Sequence, residues 1–107
     1  MEENISKKVL EDAIVQQLKL IYDPEIPVDI YNLGLIYDII IDNDQNVKVI
    51  MTLTAPNCPV AESLPEEVKT RVLATHGVKN AEVEITFDPP WTKDFISDEG
   101  KLMLGMM

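Results

Sequence analysis

The chain predicts a two-layer α/β (α+β) fold with elements in the order α-β-β-α-β and a short C-terminal helix. Three features carry that expectation. Apolar residues recur at helical spacing over residues 6–22; they alternate with polar residues over 47–53 and again over 78–87; and a second helical pattern lies between those alternating stretches. A strand, a helix and a further strand form a crossover unit, which is parallel when the strands share a sheet. The sum is a small three-stranded mixed sheet with helices on one face. At 107 residues the chain reads as one domain, residues 1–107.

The first helix is predicted over residues 6–22. Leu10, Ala13, Ile14, Leu18 and Ile21 form the apolar stripe, Ser6 is the N-cap, and Asp23-Pro24 ends the helix. The loop that follows, residues 23–34, is held by Pro24 and Pro27 and closed by Gly34. It carries three carboxylates, Asp23, Glu25 and Asp29. Two readings stand side by side: these are a helix stop and solvated loop charges, or a stiffened loop presents Asp23 or Glu25 as a hard ligand or hydrogen-bond partner to a site elsewhere.

Leu35–Ile41 is rich in β-formers and reads as a strand. Asp42–Asn46 is a polar turn, and Val47–Leu53 alternates with Val47, Val49, Met51 and Leu53 on one face, which makes a hairpin. The Asp42/Asp44 pair is turn chemistry; a calcium loop would need a glycine and a distal glutamate that do not follow. Val60, Leu64, Val68 and Val72 recur every four residues up to His76-Gly77, a second helix with Gly77 expected at its C′ position. Pro59 suits the first helical position, which would put Cys58 at or beside the N-cap. Ser63-Leu64-Pro65-Glu66 is also a capping-box pattern, so a separate first turn or a kink precedes the regular helix. Ala81, Val83, Ile85 and Phe87 alternate in the third strand, Asp88-Pro89-Pro90 ends it, and a tail with Trp91 leads to a helical pattern over Ser97–Leu104.

Charge and composition narrow the function. A net charge of -10 opposes nucleic-acid and anionic-membrane surfaces, since both are bound through Lys and Arg. Basic partners or metal cations suit it better. A single cysteine makes no intrachain disulfide, and no signal-type or membrane-spanning apolar run appears, so the expected compartment is the cytoplasm.

That cysteine, Cys58, lies in Met51-Thr-Leu-Thr-Ala-Pro-Asn-Cys-Pro-Val60, at a strand-to-helix junction. Unpaired N–H groups and the helix dipole at such a position favour a thiolate. Three roles compete. A small buried hydrophobe fits poorly between Pro56 and Pro59, outside the apolar alternation. A nucleophile needs a base, and His76, the only histidine, lies at the far end of the same helix, roughly 25 Å away at ~1.5 Å per residue. His76 instead suits the helix C-terminus as a cation. A ligand to a soft metal or an iron–sulfur cluster remains, but a cluster takes about four thiolates. Any cluster must then be shared with a partner, a second subunit, small thiols or carboxylates such as Asp23 and Glu25, which suits transfer better than permanent electron transport.

The same residues carry a family resemblance. Asp23-Pro24-Glu25-Ile26-Pro27-Val28-Asp29, Asn32-Leu33-Gly34-Leu35-Ile36-Tyr37, Met51-Thr52-Leu53-Thr54 with Cys58-Pro59, and Trp91-Thr92 with Leu104-Gly105 resemble the SufT/PaaD-type iron–sulfur (metal–sulfur) cluster assembly factors. That domain also occurs fused to Mrp-type cluster-carrier ATPases. The resemblance covers nearly the whole chain. It implies an α/β fold, a role in maturing iron–sulfur proteins, and a functional cysteine, acidic motif and threonine at Cys58, Asp23-Pro24-Glu25 and Thr54. Asn57 stands where a glycine is common, and asparagine tolerates the left-handed region. Lys93 and Phe95 depart from the usual tail.

The expectation is therefore a non-enzymatic factor that delivers iron–sulfur clusters, or iron, to client apoproteins. Cys58 is its ligand or transfer thiol, Asp23 and Glu25 are that thiol's neighbours, and Thr54 orients the site. Its partners would be the assembly machinery, its clients and a second copy of the chain, which would bring two Cys58 thiols together. The alternative is an interaction adaptor, including a paralogue that assembles a ring-oxygenase complex, in which the 23–32 loop and the Trp91 tail dock a partner and Cys58 is incidental. A thiol enzyme borrowing its base from another subunit ranks third.

Overall fold

A computed structural model describes residues 6–22, 27–54 and 63–105. Helix α1 (Lys7–Leu18) begins where the sequence expects it: Ser6 is the N-cap and its hydroxyl accepts from the Val9 amide at 3.1 Å. Ser6→Ala is expected to lower stability by about 1 kcal/mol, read as a shift in the urea midpoint with unchanged slope. The helix ends earlier than its apolar periodicity implies. After Leu18 the chain turns, and Ile21 leaves the helical stripe to accept a backbone hydrogen bond from Ile30 at 2.8 Å. Pairing with a distant segment thus overrides the helical pattern, while Ile21 stays fully buried.

Strands β1 (Ile36–Ile41) and β2 (Asn46–Met51) pair antiparallel, and β3 (Asn80–Ile85) pairs parallel with β2, giving the order β1-β2-β3. The alternation read from the sequence is the burial pattern: Val47, Val49 and Met51 are buried on the face covered by the helices. The other face is open, with Asp38, Ile40, Lys48, Ile50, Glu82 and Glu84 along two rungs of the sheet. Asp42 closes the hairpin. Its carboxylate accepts from the Asp44 and Asn46 amides and from the Asn46 side chain, contacts that hold it below the usual carboxylate range, foremost those to Asn46.

Helix α2 (Ser63–Leu73) puts Leu64, Val68 and Val72 into the core beside Leu10, Ile14 and Leu18 of α1. Pro65 falls in its first described turn, where its missing N–H costs nothing. Gly77 has the expected left-handed backbone (φ +99°) but lies four residues past the helix, in a turn closed by the Val78 amide on the Thr75 carbonyl. His76 lies in that same turn. A 3-10 turn (Lys93–Phe95) and helix α3 (Asp98–Met103) complete the fold. Among the described residues no helix is long and apolar enough to cross a membrane.

Candidate functional site

The described stems of the two segments that the sequence marks as functional are linked at the carboxyl end of β2. Beyond Met51 the central strand continues through Thr52 and Leu53, both buried, to half-buried Thr54. Cys58 lies outside the described residues, and so do Asp23 and Glu25. Whether Pro59 opens a helical turn lies outside them too. Among the described residues, no three or more His, Cys, Asp or Glu side chains gather to hold a metal ion.

The stems of both segments are nevertheless fixed, and they are neighbours. Tyr22 and Asp29 form an isolated antiparallel bridge on either side of residues 23–26. From there a series of backbone hydrogen bonds crosses this end of the molecule. Ile30 donates to Ile21 at 2.8 Å, Leu35 to Ile30 at 3.2 Å, Thr52 to Leu35 at 2.8 Å, and Thr86 to Met51 at 2.9 Å. Through Ile21, Ile30 and Leu35 these bonds link the stem beside Tyr22 to the strand end at Thr52.

A clasp between the 27–34 loop and the C-terminal tail holds this arrangement. Asp29, read from the sequence as one of three loop carboxylates, is 3% exposed and works internally. Its Oδ2 accepts from the Asn32 amide at 3.0 Å and its Oδ1 from Asn32 Nδ2 at 2.9 Å. Asn32 Oδ1 then accepts from the Ser97 hydroxyl at 2.7 Å, and that hydroxyl caps α3 by accepting from the Gly100 amide at 3.0 Å. The Trp91 indole donates to the Leu33 carbonyl at 2.7 Å, and the Phe95 ring meets Tyr37 edge-on at 5.9 Å between centroids. The polar edge of Trp91 is therefore committed inside the molecule, and the loop and tail dock on each other. The Asp29 carboxylate on the amide three residues on is an N-cap-type local contact, but the link from Asn32 to Ser97 is tertiary.

Beside the clasp, Tyr37 donates its hydroxyl to the Pro89 carbonyl at 2.7 Å, and burial pushes its phenol above the ordinary value, an effect partly offset by the neighbouring Thr52 hydroxyl. Thr52 Oγ1 itself is fully buried and, among the described residues, has no partner at hydrogen-bond geometry. The sequence singled out Thr54, two residues on; the buried unpaired hydroxyl is at Thr52, and only the tertiary structure distinguishes the two.

The chain is similar to several known proteins. Residues 11–85 match the family model described as iron–sulfur cluster assembly protein. An Fe-S protein maturation auxiliary factor of Porphyromonas gingivalis is 48% identical over 97 residues, covering 91% of this chain and 92% of the relative. The auxiliary factor YitW of Bacillus subtilis is 41% identical over 100 residues, with 94% and 98% covered. Among solved structures, a domain of unknown function from Bacillus anthracis superposes with a TM-score of 0.83 at 37% identity, covering 94% of this chain and 95% of that one.

Proposed function

The chain belongs to the family of iron–sulfur cluster assembly proteins, and from that premise we propose that it serves the maturation of iron–sulfur proteins by passing cargo through Cys58. The cluster, or its iron, is the cargo. The chain contains one cysteine, so the thiolate would complete its ligand set with thiols from the assembly machinery, the client or a second copy. Asp23 and Glu25 would offer hard oxygen ligands or hydrogen bonds beside it, and Thr54 a hydroxyl that orients the strand end. The role is non-enzymatic and cytoplasmic, where a lone thiol stays reduced.

One observation carries this reading. The acidic and the cysteine segments start from stems joined by a continuous series of backbone hydrogen bonds at the carboxyl end of the central strand. β2 and β3 run parallel, and in parallel α/β sheets ligands bind beyond the carboxyl ends of the strands. A shared, incomplete ligand set also explains why one thiol suffices: cargo held by few ligands is readily released.

The test is anaerobic transfer. The wild-type chain and Cys58→Ala are each reconstituted with iron and sulfide, then mixed with an apo-ferredoxin whose cluster absorbance is followed. Wild type should speed loading at least tenfold and Cys58→Ala should leave it at the rate without added factor. Equal rates for the two proteins would overturn the role of Cys58.

A further inference from the structure

The two edges of the sheet are finished differently. On β1 a bulge interrupts the register between Ile36 and Asp38, and the Ile39 amide, which faces outward, is taken by the Asp38 carboxylate at 2.9 Å. Both devices blunt an edge against further pairing. On β3 neither is present. The Thr86 amide donates to Met51 of β2, so by the alternation of a parallel ladder Glu82 and Glu84 turn their backbone groups inward and Ala81, Val83 and Ile85 turn theirs outward. Among the described residues nothing pairs with those three, and their side chains are only half-buried against the core.

The open face beside this edge has a definite charge. Glu82 and Glu84 are exposed on it, and Lys48, which pairs with Glu84 at 2.8 Å, stands opposite Glu82 in the register. Two carboxylates thus share one cation, and this stretch of the rim keeps a net negative charge toward an incoming strand. A second copy is a poor occupant. Pairing β3 with β3 about a twofold axis at Val83 would place Glu82 opposite Glu84 twice, four carboxylates on adjacent rungs, and like charges directly opposed destabilise a sheet. A strand whose side chains alternate basic and apolar meets every requirement. Its backbone would satisfy the outward groups of Ala81, Val83 and Ile85, its apolar side chains would cover those residues on the helix side, and its Lys or Arg side chains would meet Glu82 and Glu84.

We infer that the outer edge of β3 is a strand-addition site for an extended basic–apolar segment of a partner protein. Main-chain bonds supply the affinity of such docking and alternate side chains supply its specificity. The site does not involve Cys58, so it stands or falls independently of the transfer role.

The experiment uses the full ¹⁵N-labelled chain and the peptide acetyl-Lys-Val-Lys-Val-Lys-Val-amide. Hydrogen exchange in the free chain should be at least 100-fold faster at Ala81, Val83 and Ile85 than at Glu82, Glu84 and Thr86. Saturating peptide should slow those three amides at least tenfold, and a peptide of the same composition with its three lysines in a block should not. The doubly charge-reversed chain, Glu82→Lys with Glu84→Lys, changes only exposed side chains. It should lose the Lys-Val peptide and accept acetyl-Glu-Val-Glu-Val-Glu-Val-amide. Cys58→Ala should bind like wild type. Slow exchange at the three amides in the free chain, peptide shifts confined to other residues, or equal protection by the block peptide would each overturn the assignment.

Discussion

Gly34→Ala is expected to cost about 3 kcal/mol and to release the C-terminal tail. Gly34 has φ +83°, where a side chain is strained, and a Cβ there would collide with the Phe95 carbonyl oxygen and sit 2.7 Å from Phe95 Cβ. Neither neighbour is the flexible end of a long side chain, so the loop or the tail must move. Its neighbour Leu33 holds the Trp91 indole through its carbonyl, and Trp91 is the only tryptophan in the chain. The variant should therefore show a red-shifted emission along with a melting temperature lower by on the order of 12 °C. Unchanged emission and melting would mean that loop and tail are not locked at this point.

The second large effect is at Asp29. Removing its carboxylate with Asp29→Ala strands the Asn32 amide and Nδ2 in a buried place, at a cost of about 3 kcal/mol. Asp29→Asn keeps one acceptor oxygen of the two and should lose roughly half as much. Both are read by urea unfolding. If Asp29→Asn unfolds as readily as Asp29→Ala, the remaining acceptor oxygen stabilises nothing, and the two bonds to Asn32 do not contribute separately. The bridge from Asp29 to Tyr22 across residues 23–26 is formed by main-chain groups, so it does not depend on the carboxylate.

Much of the fold is legible in the sequence because its signals are local. Ser6 caps the helix that follows it, Val47, Val49 and Met51 alternate into the core, and Asp42 binds amides two and four residues on. What the sequence misses is what distant residues decide. The first helix stops at Leu18 because Ile21 pairs with Ile30. Asp29 is buried because Asn32, which holds it, is itself held by Ser97. The candidate site divides along the same line. Cys58, Asp23, Glu25 and Thr54 are named by residue type and family resemblance alone, and the structure contributes the backbone bonds that join their stems and the clasp on the 27–34 loop. No local pattern announces that clasp, since its halves lie 58 and 65 residues apart.

That separation has a consequence during synthesis. When residue 90 has been added, all three strands and the two longer helices exist, and the sheet can form on the growing chain. Trp91 and Ser97, which fasten the 27–34 loop, have not yet been made. A nascent or truncated chain would thus acquire its scaffold and the Tyr22–Asp29 bridge, while the Asp29–Asn32 contact still lacks the Ser97 hydroxyl that holds it. The clasp therefore closes late, onto a sheet that is already in place.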